Sequence, residues 1–242
     1  MNNLLSRIGL FDLLKSCGFM ENDYNTSVEI EKDLFDKEFN LTKLESWYRI
    51  LSCEMKPKFL IIDIDETLGR SFFRPTDLYH SYDQSTPITI KGNTKSLSEI
   101  YWIPRPNVIK FLKLIIPKLS GWAVWTLGTS EYAENIVKGF LHSNDLYPNF
   151  ILCKNHATEY SKHISYFIKG LKEDHELYVS SKTENCDLDT WKQHTSLTNT
   201  WLLDNDPIHF SENTQGILIS DFDLSIKDTL YSDLINFFEL TE

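Results

Sequence analysis

The stretch Lys58-Phe-Leu-Ile-Ile62, followed at once by Asp63-Ile-Asp65-Glu-Thr67, constrains this chain more than any other. Four consecutive apolar residues bounded by charge read as a strand buried on both faces, the habit of parallel sheets. Open parallel sheets bind ligands beyond the carboxyl ends of their strands, so the two aspartates stand where a site is expected. Side chains alternate along extended backbone, which puts Asp63 and Asp65 on one side and turns Ile64 elsewhere. Two carboxylates so placed can share a divalent cation and divide nucleophilic from acid–base work. The plainer reading is a polar strand end entering a turn, and residues elsewhere in the chain have to decide between the two.

Strand and helix signals alternate after residue 57. Pro106 opens the amphipathic helix NVIKFLKLII, Trp122–Trp125 reads as a strand, and Glu131–Leu141 reads as a helix with Tyr132, Ile136, Val137 and Phe140 on its apolar side. Further strands are predicted at Phe150–Cys153, Leu177–Ser180, Trp201–Leu203 and Gly216–Ser220, with Leu230–Phe238 as a last helix. This alternation predicts an α/β domain over 57–242 with a central, mainly parallel sheet. Residues 1–56 read as a helical N-terminal extension. Leu4, Leu5, Ile8, Phe11 and Leu14 fall near helical spacing, and Thr42-Lys-Leu-Glu45 resembles a capping box ahead of a helix carrying Trp47, Tyr48, Ile50 and Leu51. Arg7 and Asp12 interrupt the first apolar stretch, which favours a packed or partner-binding helix over a signal peptide.

The net charge of −11 argues against direct nucleic-acid binding, which calls for a basic face. No apolar run approaches the roughly 20 residues of a membrane span. The four cysteines, Cys17, Cys53, Cys153 and Cys186, are scattered without a CxxC pair and read as free thiols of a reducing compartment. An intracellular, soluble protein of the nucleus or cytoplasm, or a viral protein within its host cell, is the expectation.

Two other strand ends carry matching chemistry. Thr126 closes the strand before TLGTSEYA, where its hydroxyl can donate to a phosphate oxygen beside the N–H groups of the following loop, although Thr129 or Ser130 can equally cap the next helix. Trp201-Leu-Leu-Asp204-Asn205-Asp206-Pro ends in carboxylate and amide oxygens, donors suited to magnesium.

FLIIDIDETLGRSFFRP resembles the first motif of the haloacid dehalogenase superfamily, and most of all that of the RNA polymerase II C-terminal-domain phosphatases and their small relatives. TLGTSEYA, with Tyr132 six residues beyond Thr126, is similar to the second motif; Arg105-Pro106, LLDNDP and SDLINFFEL also fit. The resemblance covers about residues 58–240 and implies a Rossmann-like haloacid dehalogenase fold with a small β insertion after the first motif. It further implies a magnesium-dependent phosphatase of a phosphoprotein or phosphopeptide. Asp63 would be the nucleophile and Asp65 the acid and base. Mg2+ would be held by Asp63, the Asp65 backbone carbonyl and Asn205, with Asp204 nearby. Thr126 would orient the phosphoryl group, and Thr67, Phe73, Arg74, Leu127 and Tyr132 would lie on the substrate side.

The resemblance also implies a lysine that neutralises phosphate and nucleophile, and here the chain departs from the pattern: Cys186-Asp-Leu stands where lysine-Asp-Leu is expected. Lys182, just after LYVSS, is assigned this role, with Lys192 next and Lys154 as an alternative that meets the substrate phosphate. Phe73, Ile88 and Ile90 read either as an apolar substrate groove or as a hairpin packed on its own sheet, and His156–Asp174 as a lid or a decoration. His209 reads as structural. The competing functions are a phosphatase of a nucleotide or small phosphate ester, and a phosphopeptide-binding module without catalysis.

Overall fold

The computed structural model of the chain describes residues 48–50, 57–72, 88–91, 99–158, 161–210, 214–222, 224 and 228–240. The strands are β1 (Tyr48–Ile50), β2 (Phe59–Ile62), β3 (Gly69–Phe72), β4 (Ile88–Lys91), β5 (Glu99–Pro104), β6 (Gly121–Trp125), β7 (Phe150–Leu152), β8 (Thr200–Asp204) and β9 (Gln215–Ile219). A six-stranded sheet runs β1-β9-β8-β2-β6-β7, and β3-β5-β4 form a separate three-stranded antiparallel sheet. All neighbours in the large sheet are parallel except β1, which lies antiparallel on β9. The mainly parallel sheet and the β insertion after the first motif are as the sequence predicts.

β2 sits between β8 and β6 and is wholly buried, which explains its unbroken apolar run. Its alternate side chains feed two cores. Leu60 and Ile62 point into one, with Trp102, Phe111 and Ile136; Phe59 and Ile61 point into the other, with Phe150, Phe167 and Trp191. The first core is covered by helices α1 (Val108–Ile115), α2 (Ser130–Ile136, continued by a wider turn over Val137–Leu141) and α6 (Leu230–Phe237). The second is covered by α3 (Ile164–Lys172), the four-residue α4 (Glu176–Val179) and α5 (Leu188–His194). α1 buries Val108, Phe111, Leu112 and Ile115, the i, i+3, i+4, i+7 stripe of a one-sided helix.

Three expectations change. The predicted strand at Leu177–Ser180 is the short helix α4, whose start is capped by His175 accepting the Leu177 N–H. Tyr48 and Ile50, predicted on a helix, form β1 instead, because β9 offers them an open strand to pair with. Ile90 does not line a substrate groove: it is buried in the first core, against Gly139, where an added Cβ would approach it to 2.4 Å. The helices predicted before residue 46 lie outside the described residues. Among the described residues, no helix is long and apolar enough to cross a membrane.

Candidate active site

β2, β6 and β8 deliver Asp63, Thr126 and Asp204 to the carboxyl edge of the sheet because the three strands run parallel and in register there. Asp63 is 5% exposed. Its Oδ1 receives an ion-paired hydrogen bond from Lys162 Nζ, which also donates to Asp204 Oδ2 at 2.7 Å. Burial pushes the Asp63 carboxyl well above its usual range, against the pull of Lys162, and the nearby Asp204 and Asp65 push the same way. Burial alone would depress Lys162, but Asp204 and Asp63 outweigh it and hold the ammonium above its usual value. The two shifts differ in what drives them, burial at Asp63 and neighbouring carboxylates at Lys162.

The lysine placed against Asp63 is therefore Lys162, which sequence reasoning missed, and Lys182 lies elsewhere. Lys182 is exposed and bridges Phe150 at the entry of β7. Phe150 is level with Ala123 and Ile61, two residues short of Asp63. Lys182 also stands on the far side of β7, three strand spacings or about 14 Å from β2. Lys192 pairs with Asp174, and Lys154 is exposed in the turn after β7. Lys162 belongs to the stretch His156–Asp174, read above as lid or decoration. It is seated by two contacts to the turn after Asp206: the Ser161 hydroxyl donates to the Ile208 carbonyl at 3.1 Å, and the Lys162 N–H donates to His209 Nδ1 at 3.4 Å. Burial holds the His209 ring below its usual value, neutral and able to accept that bond.

Asp65 is held by three hydroxyls. Tyr132 OH and Ser71 Oγ, the latter at 3.1 Å, donate to Oδ1, and Thr126 Oγ1 donates to Oδ2 at 3.2 Å. Thr126 Oγ1 itself accepts the Gly128 N–H at 2.9 Å. Tyr132, predicted on the substrate side, is buried, and its hydroxyl is engaged with Asp65. Its ring lies over Gly128, where a Cβ would come within 2.5 Å. Thr67, also predicted to face substrate, is fully buried and donates to Asn205 Oδ1 at 3.2 Å. Leu127 is half-buried in the loop after β6, while Phe73 and Arg74 lie outside the described residues.

The donor set fits a magnesium ion in part of the predicted form. Asn205 Nδ2 donates to Asp221 Oδ1 at 2.8 Å, which fixes the amide with its oxygen as the group available to a cation. At Asp204 one carboxylate oxygen receives Lys162 at 2.7 Å and the other receives the Asp206 N–H at 2.9 Å, so both oxygens of this predicted ligand are engaged within the protein. Among the described residues no group of three or more His, Cys, Asp or Glu is placed to hold a metal. What remains is one carboxylate of Asp63, the Asp65 carbonyl and the Asn205 amide. Such a sparse oxygen set suits magnesium, which keeps waters and takes substrate phosphate oxygens as ligands, and the surplus of buried carboxylate calls for a cation.

Residues 58–242 match the family model described as NLI interacting factor-like phosphatase. A probable C-terminal domain small phosphatase of Dictyostelium discoideum is 31% identical over 118 residues, which make up 48% of this chain and 36% of that protein. Among solved structures, the fission yeast RNA polymerase II CTD phosphatase Fcp1 bound to beryllium fluoride aligns with a TM-score of 0.44 and 18% identity, over 69% of this chain and 45% of that one. A second structure, of Fcp1 as an essential RNA polymerase II CTD phosphatase, aligns with a TM-score of 0.40 and 18% identity, over 62% and 38%. The matches thus span less than half the length of each of these relatives.

Proposed function

Because the chain belongs to the NLI interacting factor-like phosphatase family, whose match takes in every residue of the site, we propose that it is a magnesium-dependent phosphatase working through an aspartyl-phosphate on Asp63. The observation that carries this reading is the buried Asp63–Lys162–Asp204 array, with Asp65 two residues beyond the nucleophile and fixed by its own donors.

Asp63 attacks phosphorus in line with the ester oxygen. Lys162, anchored by Asp204, offsets the charge of the nucleophile and of the incoming phosphate. Asp65 gives a proton to the departing alcohol and then takes one from the water that hydrolyses the aspartyl-phosphate. Thr126, braced by the Gly128 N–H, orients the phosphoryl oxygens. Asp63, the Asp65 carbonyl and Asn205 would hold magnesium, which when bound supplies neutralising charge where two anions meet.

Likeness to a probable C-terminal domain small phosphatase supports a phosphorylated protein segment as the substrate, and phosphoserine or phosphothreonine is the form we propose. Phosphate release from p-nitrophenyl phosphate and from a phosphoserine peptide, with magnesium and with chelator, tests the reading in wild type and Asp63→Asn. Magnesium-dependent turnover that falls by roughly 10⁴-fold in the variant is the expected result. Turnover of small esters or nucleotides but not of the peptide would make the protein a small-ester phosphatase. Tight phosphopeptide binding without turnover would make it a binding module.

A further inference from the structure

The reading of Asp65 as proton donor leaves open which of its oxygens carries the proton and what the surrounding hydroxyls do. Resting on that reading, we infer that Tyr132 and Ser71 are positioning residues that reserve Asp65 Oδ1 for the carboxylate charge and leave Oδ2 to transfer the proton. They thereby fit the enzyme to esters of aliphatic alcohols.

Hydrogen counting distinguishes the two oxygens of Asp65. A carboxylate oxygen that receives two O–H donors is a poor place for a proton of its own, and Oδ1 receives Tyr132 OH and Ser71 Oγ. Tyr132 OH also lies within donating distance of Ser71 Oγ, at 3.0 Å, so the three oxygens form a closed triangle in which the Tyr132 hydrogen is shared between Asp65 Oδ1 and Ser71 and the Ser71 hydrogen goes to Asp65. Oδ2 receives one donor against the two at Oδ1, the Thr126 hydroxyl at 3.2 Å, and Thr126 is the residue assigned to the phosphoryl group. The triangle draws on two separate parts of the fold. Ser71 comes from β3, pinned by its pairing with Trp102 of β5, and Tyr132 comes from α2. The Tyr132 ring is fixed from below by Gly128, which leaves no room for a side chain.

The consequence is chemical. As the Asp63 carboxylate forms its bond to phosphorus, the ester P–O bond breaks and its electron pair stays on the leaving oxygen. The Oδ2 proton passes to that oxygen, the alcohol departs, and Asp65 is left as a carboxylate. Its new charge meets hydrogens already aimed at Oδ1, with no reorganisation at that moment. A nitrophenolate leaves without much help from a proton, whereas an aliphatic alkoxide needs it. The Tyr132–Ser71 pair therefore matters most for aliphatic esters, phosphoserine among them.

The test compares kcat/KM, which reports steps only as far as loss of the alcohol, for p-nitrophenyl phosphate and for a phosphoserine peptide. Tyr132→Phe and Ser71→Ala are each expected to lower the aliphatic value roughly 10- to 100-fold and the aryl value by a factor at least about tenfold smaller. Adding Tyr132→Phe to Asp65→Asn is expected to cost nothing further on the aliphatic ester, since both remove one function. Ser71→Ala, on a separate element, serves where Tyr132→Phe does not fold. Equal losses on both esters, or additive losses with Asp65→Asn, would reduce Tyr132 to a structural or substrate-contacting residue and overturn the inference. Wild-type protein that turns over neither ester would instead remove the phosphatase reading beneath it.

Discussion

Around Lys162 the carboxylates of Asp63 and Asp204 share one ammonium, so removing that ammonium has two separable effects. Lys162→Met is expected to lower kcat/KM for p-nitrophenyl phosphate by at least ~100-fold and to destabilise the fold by about 3–5 kcal/mol, the usual result of stranding a buried charge. Lys182→Ala, on the exposed far side of β7, is expected to stay within about twofold of wild type in kcat/KM and within ~0.5 kcal/mol in stability; urea titration alongside the kinetics separates the two effects. Glu66 offers a second handle. Burial, reinforced by Asp221 and Asp65 and opposed by Arg70, pushes its carboxyl from 4.5 up to about 7. Its Oε2 has no hydrogen-bond partner among the described residues. The folded protein then keeps a proton that the unfolded chain loses, so stability falls as pH rises from 4.5 through about 7. In chelator, Tm is expected to drop between about pH 5 and about pH 8, and Glu66→Gln to flatten that drop. Asp63 and Asp65 were readable in the sequence because their meaning is local, a strand end two residues long. Lys162 was not: it stands 99 residues from Asp63 and lies in no periodic stretch. Its place depends on Ser161 and His209 meeting a turn that no neighbouring residue announces.

The buried strands were the most legible elements, since an apolar run between turn residues has few other solutions in an α/β chain. α4 was misread because Leu-Tyr-Val is a strand-like triplet; its conformation is set by the His175 cap and by Tyr178 packing on Phe167 at 5.7 Å. β1 was misread for the opposite reason, since its partner β9 lies about 170 residues away and a window over residues 42–51 contains nothing of it. The second core turns on α5, which no local motif marks as important. Trp191 of α5 stacks against Phe59 at 4.7 Å, Phe150 at 5.0 Å and Phe167 at 5.9 Å. Its ring also fills the space above Gly121, where a Cβ would come within 2.6 Å of it. Trp191→Ala is expected to cost about 3–5 kcal/mol in urea unfolding, and Trp191→Phe appreciably less.

Across the whole molecule, one guanidinium ties the distant parts of the chain together. Arg105, at the end of β5, donates to Asp228 at 2.7 Å, to the Glu66 and Ser220 carbonyls at 2.9 and 2.8 Å, and to the Ser220 hydroxyl at 3.1 Å. It thus joins the first motif, the end of the sheet and the approach to α6 beneath the site. Arg105→Met is expected to cost about 3–5 kcal/mol. Arg105→Lys should recover only part of that, because an ammonium cannot reproduce the planar fork, and differential scanning calorimetry of both variants checks this. β1 has a consequence of a different kind. The family match begins at residue 58, after β1, yet Tyr48–Ile50 occupies the outer side of β9. A chain trimmed to the matched residues would keep the site and leave the backbone of Gln215–Ile219 as an unguarded, apolar border. Such a border recruits the same border of another molecule, and two like borders close on each other, so the shortened protein would be expected to pair into dimers while the longer one does not pair through this edge.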